Sequence, residues 1–299
     1  MGTYTMPLVS IGLPTYDRPE ALRRALTELL NQTYKNIEVI VADNASPGEA
    51  VDLVIRSFSV TDTRIKHFRH AENIGMARNW QFVLDQAVGK YYVQASDDDC
   101  RDPDFVSELA ALLEAEPAAT IAFCEYQAID PQGTPLKGYG PYYKALKALT
   151  TGCPWLRQVR FFLQDERAGK SNLVYGMVRA SGLKGFKWSD LQARYGEQGA
   201  DVLFAFWQLC GGPLVVSPRK LFSSCVGNIK SYKVHVPKSV FARFADHMAI
   251  MGKYSVKYSM IAGSPMRWVL LVLWPIKMFL VAYAMVGNKV SLVFRRLTA

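Results

Sequence analysis

The stretch LVSIGLPTYDRPEALRRALTELLNQTYKNIEVIVADNAS (Leu8–Ser46) changes its hydrophobic period twice. Leu8–Pro14 is a short apolar run stopped by proline. Arg18–Gln32 then places Ala21, Leu22, Ala25, Leu26, Leu29 and Leu30 at helical spacing. Ile37–Ser46 returns to a continuous apolar run and ends in an acidic turn. The expected order is strand, helix, strand. The alternation continues outward: Pro47–Ser59 reads as a helix and Arg64–His70 as a strand. Gly75–Gly89 follows as a helix closed by glycine, then Lys90–Ser96 as a strand. Pro103–Glu116 is a helix with proline in its first turn, and Thr120–Ile129 is a fifth strand. Strands alternating with helices predict an α/β fold, a mostly parallel sheet with helices on both faces.

Beyond residue 129 the pattern loosens. Residues 130–170, rich in Gly, Pro and Tyr, read as a loop-rich insertion. Asn172–Ser181 suggests a strand with a helix start after it, and Gly199–Gly212 a helix beginning near Asp201. The tail differs in kind. Phe241, Phe244, Met248 and Met251 share one helical face, with Arg243, Lys253 and Lys257 interspersed. Trp268–Val286 is then nearly all apolar, interrupted by Pro275 and Lys277. A boundary near 232/233 is expected, with a catalytic domain over 1–232 and C-terminal amphipathic and hydrophobic helices over 233–299.

Half of the 299 residues are hydrophobic, enough for one large core. Five cysteines without close pairs read neither as a disulfide framework nor as a zinc site, so a reducing compartment is expected. The N-terminus lacks a basic segment followed by a long apolar one, so no signal peptide is expected. The net charge of +9 is unevenly placed. Beyond residue 210 the chain carries 13 Lys and Arg against one acid, Asp246, while 22 basic and 25 acidic residues precede it. Such asymmetry suits nucleic acid or an anionic membrane.

In parallel sheets ligands bind beyond the carboxyl ends of the strands. Three polar clusters fall there: Pro14-Thr15-Tyr16, Asp43-Asn44 and Asp97-Asp98-Asp99. Adjacent carboxylates repel, and a divalent cation removes the repulsion; Mg2+ or Mn2+ takes oxygen ligands and bridges phosphates. The plainer reading is a solvated acidic loop, with Asp99 or Asp102 capping the next helix. Neither GxGxxG nor GxxxxGK[ST] occurs, which argues against a dinucleotide fold and a P-loop.

VSIGLPTYDRPEALRRALTELLNQTY, IEVIVADNAS, NIGMARNWQFVLDQAVGKYYVQASDDD and the following PDF, taken together, resemble the nucleotide-sugar-dependent family 2 glycosyltransferases of GT-A, Rossmann-like fold. The resemblance runs from about residue 6 to 125 and resumes near Asn172–Gly212. It implies an inverting transfer from a UDP-, GDP- or dTDP-linked donor. Pro14, Thr15 and Tyr16, with Arg18 beyond them, match the loop that cradles the nucleotide. Asp43 matches the acid that bonds the base, and Asn73, Gly75 and Arg78 the segment around the phosphates. The aspartates match the D-x-D region with a departure, because Ser96 stands at the first acid. Asp98 then falls on the metal position, Asp97 beside it on the ribose or a metal-bound water, and Asp99 on the trailing acid. How the three divide the metal stays open. The implied base is Asp201, with Ala200 where the family carries Glu, and Glu197 is its rival. Asp201 as a mere helix cap is the plainer reading.

The tail holds no nucleic-acid reading motif, so no nucleic acid partner is expected. Its apolar run is marginal for a spanning helix, and Pro275 and Lys277 bisect it. Two short helices lying in an anionic membrane surface fit better, with Trp268, Trp274 and Tyr283 at interfacial depth. A buried helix pair or a dimer interface is the alternative. Placed on the cytoplasmic face of the inner membrane, such an enzyme reaches a lipid-linked glycan acceptor of polyprenyl type, as in bacterial surface polysaccharide synthesis. Two other readings compete: a catalytically degenerate membrane-bound scaffold, suggested by Ser96, and a sugar nucleotidyltransferase. The latter lacks support because GLPTYDRPEA has no Gly-rich, basic triphosphate loop.

Overall fold

The hydrophobic periods of the first 130 residues fold as parallel strands joined by helices. The computed structural model describes residues 6–137, 140–165, 169–196, 199–226 and 240–283. β1 (Val9–Thr15) pairs in parallel with β2 (Ile37–Asp43) on one side and with β4 (Tyr91–Gln94) on the other; β2 pairs in parallel with β3 (Ile65–Arg69). The crossovers are α1 (Pro19–Leu30), α2 (Ala50–Ser59) and α3 (Met76–Asp85). All seven residues of β2 are buried. Val39 and Val41 belong to the main core, whereas Ile40 and Ala42 pack with Val83 of α3 on the opposite face. That two-residue alternation covers both faces of the sheet. Each such Val, Leu or Ile contributes about 1.5–3 kcal/mol through burial.

One carboxylate breaks the apolar run of β2. Glu38 is held by Lys66, whose Nζ lies 2.5 Å from Oε2, by the Ser10 hydroxyl and by the Val88 N–H at 3.1 Å. A buried acid is tolerated when its lone pairs are filled in this way. The helix before β4 stops at Asp85, four residues short of Gly89. Gly89 serves instead a close backbone approach: a Cβ there would stand 2.7 Å from the Leu8 carbonyl and 2.8 Å from the Ser10 amide.

The second half of the sheet is mixed. After β5 (Cys100–Arg101) and α4 (Phe105–Ala115) comes β6 (Ile121–Ile129). α5 (Tyr143–Lys147) and α6 (Pro154–Leu163) lie inside the span expected to be loop, so this insertion is partly helical. The reason is local: α6 opens on Pro154, and Arg157, Gln158, Phe161 and Phe162 form a buried face. Lys170–Tyr175 is a 3-10 turn rather than strand, and only β7 (Met177–Arg179) pairs. Next come α7 (Trp188–Tyr195), α8 (Ala200–Gly211) and β8 (Leu214–Cys225). β8, which the sequence pattern did not announce, runs parallel to β6. Its register jumps between Cys124↔Ser217 and Glu125↔Lys220, so Pro218 and Arg219 bulge out. The eight strands run β3-β2-β1-β4-β7-β6-β8-β5, with β7 antiparallel to both neighbours.

The C-terminal helices are α9 (Val240–Ala262), α10 (Met266–Val272) and α11 (Trp274–Tyr283). α9 buries Met251 and Tyr258, and the Tyr258 ring meets Phe161 of α6 and Phe206 of α8 at 5.8 and 4.9 Å. Of the expected apolar face of this helix, Phe244 and Met248 are half-buried. The side chain of Phe241 lies outside the described residues. α10 and α11 meet at a 47° bend just before Pro275. Among the described residues no single helix is long and apolar enough to cross a membrane. Lys277 is not a solvated break in the apolar run. It is 1% exposed and its Nζ donates to the Gln164 carbonyl at 2.7 Å, at the C-terminal end of α6, where a cation suits the helix dipole.

Candidate active site

β1, β2 and β4 end on one edge because they are parallel and in register, with Thr15 opposite Asp43 and Gly12 opposite Gln94. Their following loops therefore converge on a cleft of about 870 Å³. Pro14, Thr15, Tyr16 and Arg18 line it from the β1 loop, and Ser96, Asp97 and Asp98 from the β4 loop. Asn44, Asn73, Asn79 and Trp80 line a further wall, and Tyr175 and Cys225 reach it from the second half of the sheet.

The three aspartates have three different surroundings. Asp97 is 6% exposed and accepts from the Thr15 hydroxyl at 2.8 Å and from Arg18 Nη1 at 3.2 Å. Burial pushes its carboxyl up to about 6, against the pull of the Arg18 cation. Asp98 faces the cleft, where it accepts from the Ser96 hydroxyl and from Arg18 Nη1 at 3.0 Å. Burial works against the Arg18 cation, but the charges of Asp97 and Asp98 outweigh it and raise its pKa. Asp99 is buried and lies outside the cleft lining; its Oδ1 accepts from the Cys225 N–H of β8 at 2.9 Å. Burial pushes Asp99 up to about 7, with the Arg101 charge opposing. The triad thus divides into a loop-fixing acid, a cleft-facing acid and a strap to β8. The helix that follows is capped by neither Asp99 nor Asp102: its cap position is Asp104, and Asp102 Oδ1 only accepts from the Asp104 N–H at 3.0 Å.

Asp43 is fully buried and does not itself line the cleft. Ser46 donates to its Oδ1 through N–H at 2.9 Å and through Oγ at 2.5 Å, and Arg69 pairs with Oδ2 at 3.1 Å. This fixes the turn after β2 and presents Asn44 to the cleft. Asn44 donates to Asn73 Oδ1 at 2.9 Å and accepts from the Ile74 N–H at 2.9 Å. Asn73 Oδ1 also accepts from the Gly75 N–H, and Gly75, at φ +82°, opens α3. The first turn of α3, whose leading N–H groups have no partner within the helix, thus borders the cleft at Met76 beside Asn73. Arg78, one turn on, is exposed and outside the lining.

Asp201 stands in the first turn of α8, whose cap is Gly199 at φ +79°. It is therefore not the capping residue; its Oδ1 accepts from the Val202 N–H at 2.8 Å. The Tyr254 ring of α9 covers Gly199, where a Cβ would fall 2.3 Å from it. Asp201 does not line the cleft, but its charge reaches Tyr175, which does. Glu197 lies outside the described residues. Sequence reasoning missed Trp80 and Tyr175. Trp80 follows Met76, another lining residue, by one helical turn, a spacing that could have found it. Tyr175 carried no such signal.

Among the described residues no three His, Cys, Asp or Glu side chains form a metal cage. Of the carboxylates lining the cleft, Asp97 is buried and Asp17 lies exposed on the β1 loop, while Asp98 is partly accessible beside the Ser96 hydroxyl. That donor set fits a hard divalent cation that takes its remaining oxygens from phosphate and water.

The family model for glycosyl transferase family 2 matches residues 10–174. An uncharacterized glycosyltransferase of Rickettsia bellii is 31% identical over 169 residues, 52% of this chain and 24% of that protein. The chain thus spans about a quarter of the length of that curated relative. The crystal structure of S. aureus TarS 1-349 superposes with a TM-score of 0.58 at 13% identity, covering 95% of this chain and 91% of that one. The mannosyltransferase PcManGT from Pyrobaculum calidifontis, in complex with GDP-Man and Mn2+, superposes with a TM-score of 0.52 at 15% identity, covering 97% and 81%. The architecture is therefore the GT-A fold.

Proposed function

The chain belongs to glycosyl transferase family 2, and on that premise we propose that it moves a sugar from a nucleoside-diphosphate donor to an acceptor hydroxyl, with inversion at the anomeric carbon. The observation that carries this reading is the convergence of Thr15, Arg18, Asn44, Asn73, Asp97 and Asp98 on one cleft at the carboxyl ends of β1, β2 and β4. That solved GT-A neighbours hold UDP-GlcNAc or GDP-Man with Mn2+ supports a donor of the same class here.

The residues then divide the work. The Pro14–Tyr16 loop and the Asn44–Asn73 pair hold the nucleotide, with Asp43 fixing the turn that presents Asn44. The α3 amides beyond Gly75 and the Arg18 guanidinium face the diphosphate, whose negative charge grows as the sugar leaves. Arg78 stands at the outer rim of that segment. Asp98 is the residue that would hold Mg2+ or Mn2+, with Asp97 behind it; the ion, when bound, neutralises charge on the leaving diphosphate. Asp97 ties Thr15 and Arg18 into one arrangement, and Asp99 anchors the loop to β8. Asp201 is the base that takes the proton of the attacking acceptor hydroxyl.

The acceptor reading rests on the tail. Val272, Phe279 and Tyr283 are 77, 68 and 70% exposed, and Trp268 and Ile276 extend the same apolar surface. Isolated exposed apolar residues are ordinary, but a run along two consecutive helices is a docking face. The 13 basic residues against one acid beyond residue 210 favour anionic lipid as its occupant. Held at a cytoplasmic membrane surface, the enzyme would meet a lipid-linked glycan. The test is to incubate the protein with UDP-, GDP- and dTDP-sugars, Mn2+ or Mg2+, and a polyprenyl-linked saccharide extract. Release of one nucleoside diphosphate with sugar transferred to lipid is expected. Vesicle binding without consumption of any donor would instead favour a scaffold.

A further inference from the structure

Trp80 and Tyr175 come from distant parts of the chain and meet at the cleft wall, with ring centroids 6.4 Å apart. Both are fixed from behind. Trp188 packs edge-on to Trp80 at 5.1 Å, and Phe222 lies 5.6 Å from Tyr175. The Trp188 N–H donates to Gln81 at 2.8 Å, which locks α7 onto α3 beneath Trp80. The pair is thus a rigid aromatic surface on the wall of a cleft that also presents Asn, Asp, Thr and Arg side chains.

The Tyr175 hydroxyl makes no hydrogen bond to the protein among the described residues. Burial, then the charges of Asp99, Asp98 and Asp201, hold the phenol well above its ordinary pKa, so it stays a neutral donor. A ring face that excludes water, beside a free donor, matches a sugar: C–H bonds on one face, hydroxyls at the edge. Position selects which sugar. Tyr175 lies past β4 from the nucleotide side of the sheet, and its phenol feels both Asp98 and Asp201. Trp80 and Tyr175 line the same cleft as the nucleotide loop, whereas Asp201 stands outside it.

We propose that Trp80 and Tyr175 form the subsite against which the donor's hexose ring packs, with the Tyr175 hydroxyl donating to one hydroxyl of that sugar. The assignment rests on the nucleotide-sugar reading above and adds the residues that would sense the sugar rather than the nucleotide. Because the donor acts through one hydrogen bond and the wall through ring contact, Tyr175 sets preference among epimers and Trp80 sets affinity for any hexose.

The experiment compares wild type, Tyr175→Phe and Trp80→Leu by calorimetric titration with UDP-glucose, UDP-GlcNAc, GDP-mannose and dTDP-glucose, each against its own nucleoside diphosphate. Tyr175→Phe keeps the ring and hence the packing, and melting curves verify that both variants are folded. The expected result is a roughly tenfold loss for the preferred nucleotide sugar in each variant, with the matching diphosphate bound as by wild type. Equal loss for sugar nucleotide and diphosphate assigns the pair to the nucleotide and overturns the proposal. Unchanged affinity for both, or a change confined to the acceptor KM, also overturns it. If wild type binds none of the seven compounds, the donor reading itself fails, and this subsite with it.

Discussion

The cleft and the C-terminal helix pair depart from ordinary protein surface in opposite directions. At the cleft, charged groups are withdrawn from water: Asp97 and Asp99 are nearly fully buried, and their carboxyls are pushed up to about 6 and 7. On α10 and α11, large apolar groups are pushed into water, Val272, Tyr283 and Phe279 most of all. Each arrangement costs stability in the isolated protein. On the proposed function, each would be relieved by a different ligand, a cation with a diphosphate in the first case and a lipid surface in the second. A residue that gives up stability points to its ligand by the kind of stability it gives up.

The largest expected effect lies next to the cleft. Asp201→Asn lowers kcat by about a hundredfold or more and leaves donor affinity within about twofold, as removal of a general base does. An unchanged kcat would move the base elsewhere.

The second prediction concerns buried charge. A folded-state pKa of about 7 against 3.8 in the unfolded chain means that native Asp99 binds its proton more tightly. Stability from this group is therefore full below about pH 4 and is lost as pH rises through 7, on the order of 4 kcal/mol. Asp97 acts in the same direction up to about pH 6. Metal-free protein should melt at a lower temperature at pH 8 than at pH 5. Asp99→Asn, which still accepts from the Cys225 N–H, should flatten that slope. A flat profile in wild type would show that Asp99 is not held in an apolar setting.

The third prediction turns to the tail. Lys277→Ala leaves the end of α6 without its cation and loosens α11 by about 1–3 kcal/mol, read as faster proteolysis after α10 and a lower melting temperature. A fully solvated Lys277 would give no change.

The smallest effect is on the exposed face. Val272→Ser together with Phe279→Ser should weaken binding to phosphatidylglycerol vesicles about tenfold, leave melting unchanged, and leave a salt-sensitive residue of binding from the basic groups. Equal binding by the double variant would remove the lipid from the comparison and favour a protein partner for that face.

The same contrast explains what the sequence could tell. β1, β2, β4 and β6 were legible because each carries an apolar run; β5, two residues paired with the distant β8, was not. β8 was not, because Pro218 and Arg219 interrupt it and only the bulge against β6 absorbs them. α6 was hidden among glycines and prolines, although its buried Arg157, Gln158, Phe161 and Phe162 have helical spacing. At the site, Thr15, Asp97 and Asp98 were legible because they follow strands directly. Their division of labour was not, since Asp99 turns to β8 only through a pairing more than a hundred residues distant. Trp80 and Tyr175 are far apart in the chain, and only the tertiary structure sets them on one wall. Lys277 looked like a solvated interruption because its partner, the Gln164 carbonyl, is likewise remote in sequence.

The central claim is that Asp98 presents its cleft-facing carboxylate to a cation shared with the donor diphosphate. Calorimetric titration of UDP, GDP and dTDP into wild type and Asp98→Ala, each with and without Mn2+, tests it directly. The account predicts that wild type selects one diphosphate, that Mn2+ tightens it at least about tenfold, and that Asp98→Ala abolishes that gain while keeping weak metal-free binding. Diphosphate binding that is the same with and without Mn2+ in wild type, or a Mn2+ gain that survives in Asp98→Ala, would contradict it.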